Sequence, residues 1–222
     1  YLGPHHYVAS VVRTETYDGG ARRSVAETIE LRWQDWDNFV HRRVVDGRVT
    51  SAVRVFQGAA RVRRSQGKWD PKDDAEPYRV QIRTTWNGWD QALELFADRV
   101  SYTDEGTEII EGRPARRYAV GLTEPGPSTP GRDKRRASEG GPTALSGTVW
   151  VDEATAVRLK ADVEGTWVKG PETHTIAVQI TRSAIGENQE IAPPNASGQR
   201  RRRGKDSLEN PSDGTSPDPE TP

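Results

Sequence analysis

The stretch Gly147–Trp167 reads GTVWVDEATAVRLKADVEGTW and shows the clearest strand pattern of the chain. Apolar residues alternate with charged or polar ones through its second half, so one face is apolar and the other meets water. The apolar positions are Val157, Leu159, Ala161, Val163 and Trp167. Between this run and Thr148–Val151 stands Asp152-Glu153-Ala154-Thr155, where Asp and Thr can bond to their own backbone and tighten a turn. The pattern predicts an antiparallel hairpin within a half-buried sheet.

The same kind of pattern recurs along the N-terminal part of the chain, where six runs predict strands. They are Tyr7–Tyr17, Val25–Trp33, Phe39–Val45, Val49–Phe56, Ala60–Arg64 and Tyr78–Ile82. Asp46-Gly47 separates the third run from the fourth, and this dipeptide favours a type I′ hairpin because both central residues take positive φ. The sequence therefore predicts a meander of antiparallel strands, with a loop over Ser65–Pro71 before the sixth.

One helix is predicted, between Trp86 and Val100. Large apolar residues recur there at spacings of three and four, which places them on one helical face. They are Trp86, Trp89, Leu93, Phe96 and Val100. After the helix, Thr107–Ile110 and Ala115–Leu122 read as another hairpin, and a last strand carries His174, Ile176, Val178 and Ile180 on one face.

Two segments differ in composition from the rest of the chain. Residues 124–143 are rich in proline and glycine and contain no large apolar residue, which predicts a disordered insert between two strands of the same sheet. Residues 192–222 hold the run Arg200–Arg203 and then a proline, serine and acidic end, which predicts a disordered tail. We therefore expect a single domain over residues 1–191, with the basic run as a solvated part of the tail.

A long meander interrupted by one amphipathic helix narrows the architecture. A sheet of roughly nine to eleven strands with one wet face tends to curl. A lone apolar helix then has only the inside of the curl in which to bury its face. The prediction is a mainly β (α+β) fold, in which a strongly curved antiparallel sheet forms a half-open β-barrel with the helix across its concave face.

Composition excludes several classes of function. The chain has 222 residues, and its 32 basic and 33 acidic side chains nearly cancel, so no overall field favours nucleic acid or an anionic membrane. The absence of Cys excludes disulfides, thiolate metal sites and a cysteine nucleophile. No apolar run approaches the ~20 residues that span a bilayer. Tyr1 is not a natural start, which is consistent with removal of a leader or anchoring segment.

Four pieces of sequence carry a resemblance to a known family. They are Trp36-Asp37 before a strand, Val45–Val49 in a hairpin, Glu111–Tyr118 after the helix, and Gly147–Asp152 followed by Val157–Asp162. From about Tyr7 to Ile185 the chain resembles the bacterial periplasmic lipoprotein carriers, the LolA-like and LppX-like unclosed β-barrels. The resemblance implies a secreted envelope protein, periplasmic or associated with the outer membrane, whose concave apolar face holds acyl chains.

Groups that could carry catalysis or bind metal are few. Asp152 and Glu153 are adjacent carboxylates, but neighbours on a turn point apart, which favours a structural turn over an acid/base pair. His5-His6 lack a third ligand, and His41 and His174 have no catalytic partner nearby in the sequence. No nucleophile elbow, phosphate loop or metalloprotease motif occurs. The sequence predicts no enzyme activity, no cofactor and no metal.

Seven tryptophans in one small domain indicate either a well-filled core or the lining of an apolar pocket. A filled core is the commoner case, and both readings stay open. If a pocket exists, its ligand-binding residues are predicted on the helix and on the apolar face of the sheet, where they would remove an acyl chain from water at about 25 cal/mol per Å². They are Trp33, Trp86, Trp89, Leu93, Phe96, Val149, Val151, Leu159, Val163, Trp167, Ile176, Val178 and Ile180.

Two functions follow from these readings. The first is a non-enzymatic envelope protein that binds or carries a lipid or an acylated lipoprotein. The second is a structural or interaction scaffold for another envelope protein, with a core filled by its own side chains and no lipid ligand. A hydrolase acting on envelope polymers ranks below both, because no catalytic motif supports it.

Overall fold

The computed structural model describes residues 2–65, 67–86, 92–124 and 140–193, with only the backbone described at 84–86. The strands of this part are β1 (His5–Thr16), β2 (Arg22–Asp35), β3 (Asn38–Val45), β4 (Arg48–Phe56), β5 (Ala59–Arg64), β6 (Asp70–Lys72), β7 (Val100–Ile110), β8 (Arg113–Leu122), β9 (Gly141–Asp152), β10 (Arg158–Lys169) and β11 (Glu172–Ser183). Its helices are α1 (Glu76–Trp86) and a short 3₁₀-helix, Glu94–Arg99. All these elements belong to one compact unit, Tyr1–Ile191.

The strands form one antiparallel sheet in the order β6-β5-β4-β3-β2-β1-β11-β10-β9-β8-β7. Neighbours in the sheet are neighbours in the chain except where β1 pairs with β11, which brings the two ends of the meander side by side. Within the described residues the edge strands β6 and β7 do not pair with each other, so the sheet is not closed. This confirms the predicted fold class, an open, curved half-barrel of β-strands.

The helical segment connects the two edges of the sheet. β6 and β7 are consecutive strands but lie at opposite edges, and α1 and the 3₁₀-helix stand between them in the chain. Ile82 of α1 and Phe96 of the 3₁₀-helix are buried in the same apolar cluster as Trp33 of β2 and Val163 of β10. The connection therefore crosses the apolar face, which explains why its own apolar residues are buried there.

Two-residue turns set the register of several hairpins. Asp46 and Gly47 have φ values of 49° and 75°, as a type I′ turn requires, and β3 and β4 pair as predicted. Glu111 and Gly112 repeat this arrangement with φ values of 49° and 74° between β7 and β8. Both turns match the right-handed twist of the strands they join.

The hairpin over Gly147–Trp167 is also confirmed. β9 and β10 pair along most of their length, and the turn closes through a hydrogen bond from Asp152 N to Val157 O of 2.9 Å. β9 begins at Gly141, so the last residues of the predicted insert belong to a strand. Residues 125–139 of that insert, and the tail from 194 onward, lie outside the described residues.

The prediction of a strand over Tyr78–Ile82 is wrong, because these residues lie in α1. Five alternating residues fit a helix equally well here, since Tyr78 and Ile82 share a helical face while Val80 is 49% exposed on another. The helix begins where Asp74 Oδ1 accepts a hydrogen bond of 2.8 Å from Glu76 N, with Pro77 in the first turn.

The helix predicted over Trp86–Val100 is corrected accordingly. α1 is described as far as Trp86, residues 87–91 lie outside the described residues, Ala92 is helical, and the 3₁₀-helix Glu94–Arg99 follows. β7 then begins at Val100. The apolar spacing that predicted one continuous helix falls on separate elements of a single connection. A further strand, β6, occupies Asp70–Lys72 at the end of the predicted loop.

Candidate ligand-binding cavity

Side chains from the helical connection fill one part of the concave face. Ile82, Leu93 and Phe96 are 0%, 3% and 1% exposed, and they belong to one cluster with Trp33. The Phe96 ring lies directly on the backbone of β10, since a Cβ placed on Gly165 would be only 2.6 Å from Phe96 Cζ. This part of the face is a packed core.

A cavity of about 640 Å³ lies towards the other end of the same strands. Phe96 packs on β10 at Gly165, whereas Arg158, the first residue of the same strand, lines the cavity. The lining is completed by N-terminal residues and by side chains of β7, β8, β9 and β11. Its residues are Leu2, His5, Tyr102, Tyr118, Val149, Val151, Ala156, Val157, Arg158 and Arg182.

The register of the sheet brings these side chains together. Tyr118 of β8 pairs with Val149 of β9, and Val151 of β9 pairs with Arg158 of β10. From Arg182 on β11 to Tyr102 on β7 the lining crosses five adjacent strands, and His5 adds the start of β1 beside β11. At about 4.8 Å per strand, the four steps span roughly 19 Å.

The chemistry of the lining changes across this span. Valines of β9 and tyrosines of β7 and β8 give one side an apolar and aromatic surface, and Tyr102 is 53% exposed there. Arg158 and Arg182 give the other side two cations. Among the described residues that line the cavity, none is acidic. The cavity is therefore amphiphilic, with a cationic end and an apolar end.

Arg182 is an unusual residue for such a surface, because it is only 4% exposed. Its Nη1 donates a hydrogen bond to the Arg158 carbonyl oxygen, and its guanidinium carbon lies 4.6 Å from the centre of the Tyr7 ring. Its Nε is buried without a hydrogen-bond partner, and within the described part of the chain no carboxylate forms an ion pair with it. Burial lowers the pKa of Arg182 to about 10, so the guanidinium stays protonated at neutral pH.

His5 adds no charge to the cavity at neutral pH. Its Nδ1 bonds to the Gly3 carbonyl oxygen at 2.9 Å, and its ring centre lies 5.6 Å from that of Trp33. Burial, aided by the charge of Arg182, lowers the pKa of His5 to about 4. The imidazole is therefore uncharged at neutral pH, and the two arginines are the cationic groups among the described lining residues.

The structure divides the predicted ligand-binding residues among several environments. Val149 and Val151 line the cavity and also pack with the core. The packed core contains Trp33, Leu93, Phe96, Val163, Ile176, Val178 and Ile180, with Trp167 partly buried against it. Leu159 belongs to a second cluster, with Leu2 and Ala115. The Trp86 side chain and all of Trp89 lie outside the described residues.

Sequence reasoning missed most of the cavity. Arg182 carries a usable signal, because it continues the alternation of Ile176, Val178 and Ile180 and so places a charge on the apolar face of β11. Tyr118 likewise shares its parity with Val120 on β8. Leu2 has no such signal, since it lies before the first strand.

The buried carboxylate of Asp152 has a structural role in the turn between β9 and β10. Its carboxylate is 1% exposed, accepts a 2.6 Å hydrogen bond from Arg113 Nε, and accepts two more from Thr155 N and Oγ1 at 2.8 and 2.7 Å. The hydrogen bond from Arg113 is the main reason that the pKa of Asp152 falls to about 2. These bonds to Arg113 and Thr155 hold the β9–β10 turn.

Other kinds of site find little support in the residues described. Across the described ranges, no three His, Asp or Glu side chains lie close enough together to bind a metal ion. The helices among them are also too short or too polar to cross a membrane.

The fold and the cavity together define the class of protein: an unclosed antiparallel half-barrel with an amphiphilic cavity on its concave face. No protein-family model matches the chain. A comparison with curated proteins gives no match either.

Solved structures do match. The lipoprotein LppX of Mycobacterium tuberculosis is 16% identical, with 82% of this chain and 88% of that one covered and a TM-score of 0.27. A putative outer membrane lipoprotein-sorting protein domain from Vibrio parahaemolyticus is 8% identical over 90% and 91%, with a TM-score of 0.23. A LolA superfamily protein from Nitrosomonas europaea is 8% identical over 81% and 86%, with a TM-score of 0.19. Both families that the sequence resembles are therefore among the matches, at similarities too low to carry an argument about ligand or partner.

Proposed function

We propose that this protein binds the acyl chain of a lipid in the cavity between β7 and β11, and that it does so as a non-enzymatic binding or carrier protein. The observation that carries the proposal is the cavity itself. Its volume of about 640 Å³ lies within the range of about 300–1,000 Å³ that is usual for sites of small ligands.

The lining supports an acyl chain as the ligand. Leu2, Val149, Val151 and Val157 offer aliphatic surface, and removing a methylene group from water contributes roughly 0.8 kcal/mol. Most of the lining stands on paired strands, so it needs little rearrangement to receive a ligand. A preformed apolar site loses less free energy to ordering than a site formed on mobile loops.

The wider role rests on the sequence resemblance to periplasmic lipoprotein carriers. On that basis we place the protein in the bacterial envelope, in the periplasm or at the outer membrane. There it would hold a lipid, or the acyl chain of a lipoprotein, away from water while the ligand is stored or passed on. No catalytic group is required for this function.

A chain-length series tests the proposal. Saturated fatty acids of increasing length, titrated calorimetrically into the protein, should bind about fourfold tighter per added methylene until the cavity is full. Affinity should then level off. Native mass spectrometry should show one fatty acid per chain.

A pair of variants locates the binding. Val151→Glu places a carboxylate in the lining and should weaken binding at least tenfold. Ile109→Glu is the matched control, because Ile109 is 63% exposed and lies outside the lining. If no fatty acid of any length binds, or if both variants weaken binding equally, the proposal is wrong.

One observation favours the second function, a scaffold for another envelope protein. The 3₁₀-helix end of the concave face is filled by the chain's own side chains, with Leu93 and Phe96 almost fully buried. A protein that binds no lipid but pulls down one defined envelope protein at fixed stoichiometry would support that reading.

A further inference from the structure

The cavity holds one buried arginine, Arg182, that forms no ion pair with a carboxylate of the described residues. Arg158 and Arg182 both line it, and none of the described lining residues is acidic. The carboxylates of Asp104 and Glu153, near the same end of the sheet, are each engaged by Arg116, at 2.8 and 3.7 Å. Taking a cation out of water without a counter-charge is costly, so an anion entering here would recover part of that cost.

Arg182 also has hydrogen-bonding capacity that the protein leaves unused. The guanidinium has five N–H donors in a planar fork. Nη1 donates to the Arg158 carbonyl oxygen, and the buried Nε donates to no group of the described residues. The fork geometry suits the paired oxygens of a carboxylate or a phosphate, and such charge-assisted bonds are about twice as strong as neutral ones.

We infer that the cavity selects amphiphiles with an anionic head group, whose carboxylate or phosphate binds Arg182 and Arg158 while the acyl chain crosses β9 towards Tyr118 and Tyr102. The inference rests on the proposed function and specifies its ligand. The head group lies at the more buried end, since Arg182 is 4% exposed and Tyr102 is 53% exposed. A free anionic lipid fits this polarity better than an acyl chain whose head is attached to a protein.

The span of the cavity agrees with this orientation. The two arginines stand on β10 and β11, and the tyrosines stand on β7 and β8, with the valines of β9 between them. A ligand that matches this order needs its charge at one terminus and an unbranched apolar body of roughly 15–20 Å. Lipids with a single anionic head have this shape.

The test compares ligands that share a chain and differ only in the head group. Dodecanoate, dodecyl phosphate and dodecanol are titrated separately into the wild-type protein. Both anions should bind roughly ten- to hundredfold tighter than the alcohol, which is the usual gain from charge-assisted hydrogen bonds. A difference between the two anions shows whether carboxylate or phosphate is the better head group.

Variants then assign the effect to the guanidinium. Arg182→Met should bring the affinity for dodecanoate to within about threefold of that for dodecanol, because the cation is removed while the apolar lining is retained. Arg182→Lys, which keeps the charge and tests whether this site tolerates change, should retain a preference for the anions. Arg48→Met is the control, since Arg48 is exposed at the β3–β4 turn. It should leave all three affinities unchanged.

The outcomes separate this inference from the proposed function. Equal binding of dodecanoate and dodecanol by the wild type overturns the anion preference and leaves acyl binding intact. Equal weakening of acid and alcohol by Arg182→Met, with anion preference kept, shows a structural role for Arg182 and also overturns it. If none of the three ligands binds, the proposed function fails, and the head-group inference fails with it.

Discussion

Replacing Gly165 by Ala tests how the helical connection packs on the sheet. The new Cβ would stand 2.6 Å from Phe96 Cζ, 3.0 Å from Phe96 Cε1 and 3.1 Å from Leu145 Cδ1. Carbon atoms in contact normally lie about 3.5–4.0 Å apart, so the Phe96 ring must retreat by about 1 Å from a fully buried position.

The expected cost follows from that displacement. Overpacking a well-packed core costs about 1–3 kcal/mol, and the higher strand propensity of Ala returns about 0.5–1 kcal/mol of it. We therefore expect Gly165→Ala to lower the free energy of unfolding by about 1–2 kcal/mol. For a domain of this size the melting temperature should fall by roughly 3–6 °C. Gly141→Ala is the matched control, because a Cβ there meets no atom within 4 Å.

Urea denaturation followed by circular dichroism measures the effect, and a double mutant identifies its cause. Phe96→Ala alone should cost about 3–5 kcal/mol as a buried cavity. In that background Gly165→Ala should cost much less, because the ring that it would strike is gone and only the contact with Leu145 remains. If Gly165→Ala is as stable as the wild type, or costs the same with and without Phe96, the packing described here is wrong.

Three further outcomes are expected. Burial, aided by the charge of Arg43, lowers the pKa of His41 to about 4, so the unfolded chain binds more protons than the folded one below pH 6.5. The free energy of unfolding should therefore fall as the pH drops from about 7 to 4. His41→Leu should reduce this pH dependence by about 1.4 kcal/mol per pH unit in urea titrations. The depressed pKa of Asp152 acts at lower pH, because the stability it contributes is present above about pH 4 and is lost as the pH falls through 2. At pH 7 Asp152→Asn should cost about 2 kcal/mol, and the exposed Asp104→Asn should cost clearly less. Truncation after Ile191 should leave the melting temperature within about 1 °C, as the composition of residues 192–222 predicts, and a fall of several degrees would show that they pack on the domain.

The parts of the fold that were predictable from sequence are those set by local chemistry. The hairpin over Gly147–Trp167 follows from an alternation long enough to fix a period of two and from an Asp that can close the turn. Tyr78–Ile82 was misassigned because five residues do not separate a period of two from one of 3.6. The N-terminal signals of Asp74 and Pro77 decide that case.

The position of the cavity depends on contacts between distant parts of the chain, which no local sequence pattern predicts. Val149 and Val163 both face the concave side, read alike in sequence and are buried in the same apolar cluster, yet only Val149 also lines the cavity. What separates them is where the connection from β6 to β7 crosses the sheet. Arg182 was readable as a charge on an apolar face, but its role needs the register that places it beside Tyr7 and near the strand of Arg158.

The proposed function requires a lipid chain to lie in the cavity against Val149 and Val151, and not between the core side chains around Phe96. Photolabelling tests it most directly, with a fatty acid that carries a diazirine on its chain and with labelled residues located by mass spectrometry. The label should fall on the cavity lining, on Val149, Val151, Tyr118 or neighbouring residues, and excess dodecanoate should suppress it. Labelling centred on Phe96, or no labelling of the folded protein that dodecanoate suppresses, would contradict the account.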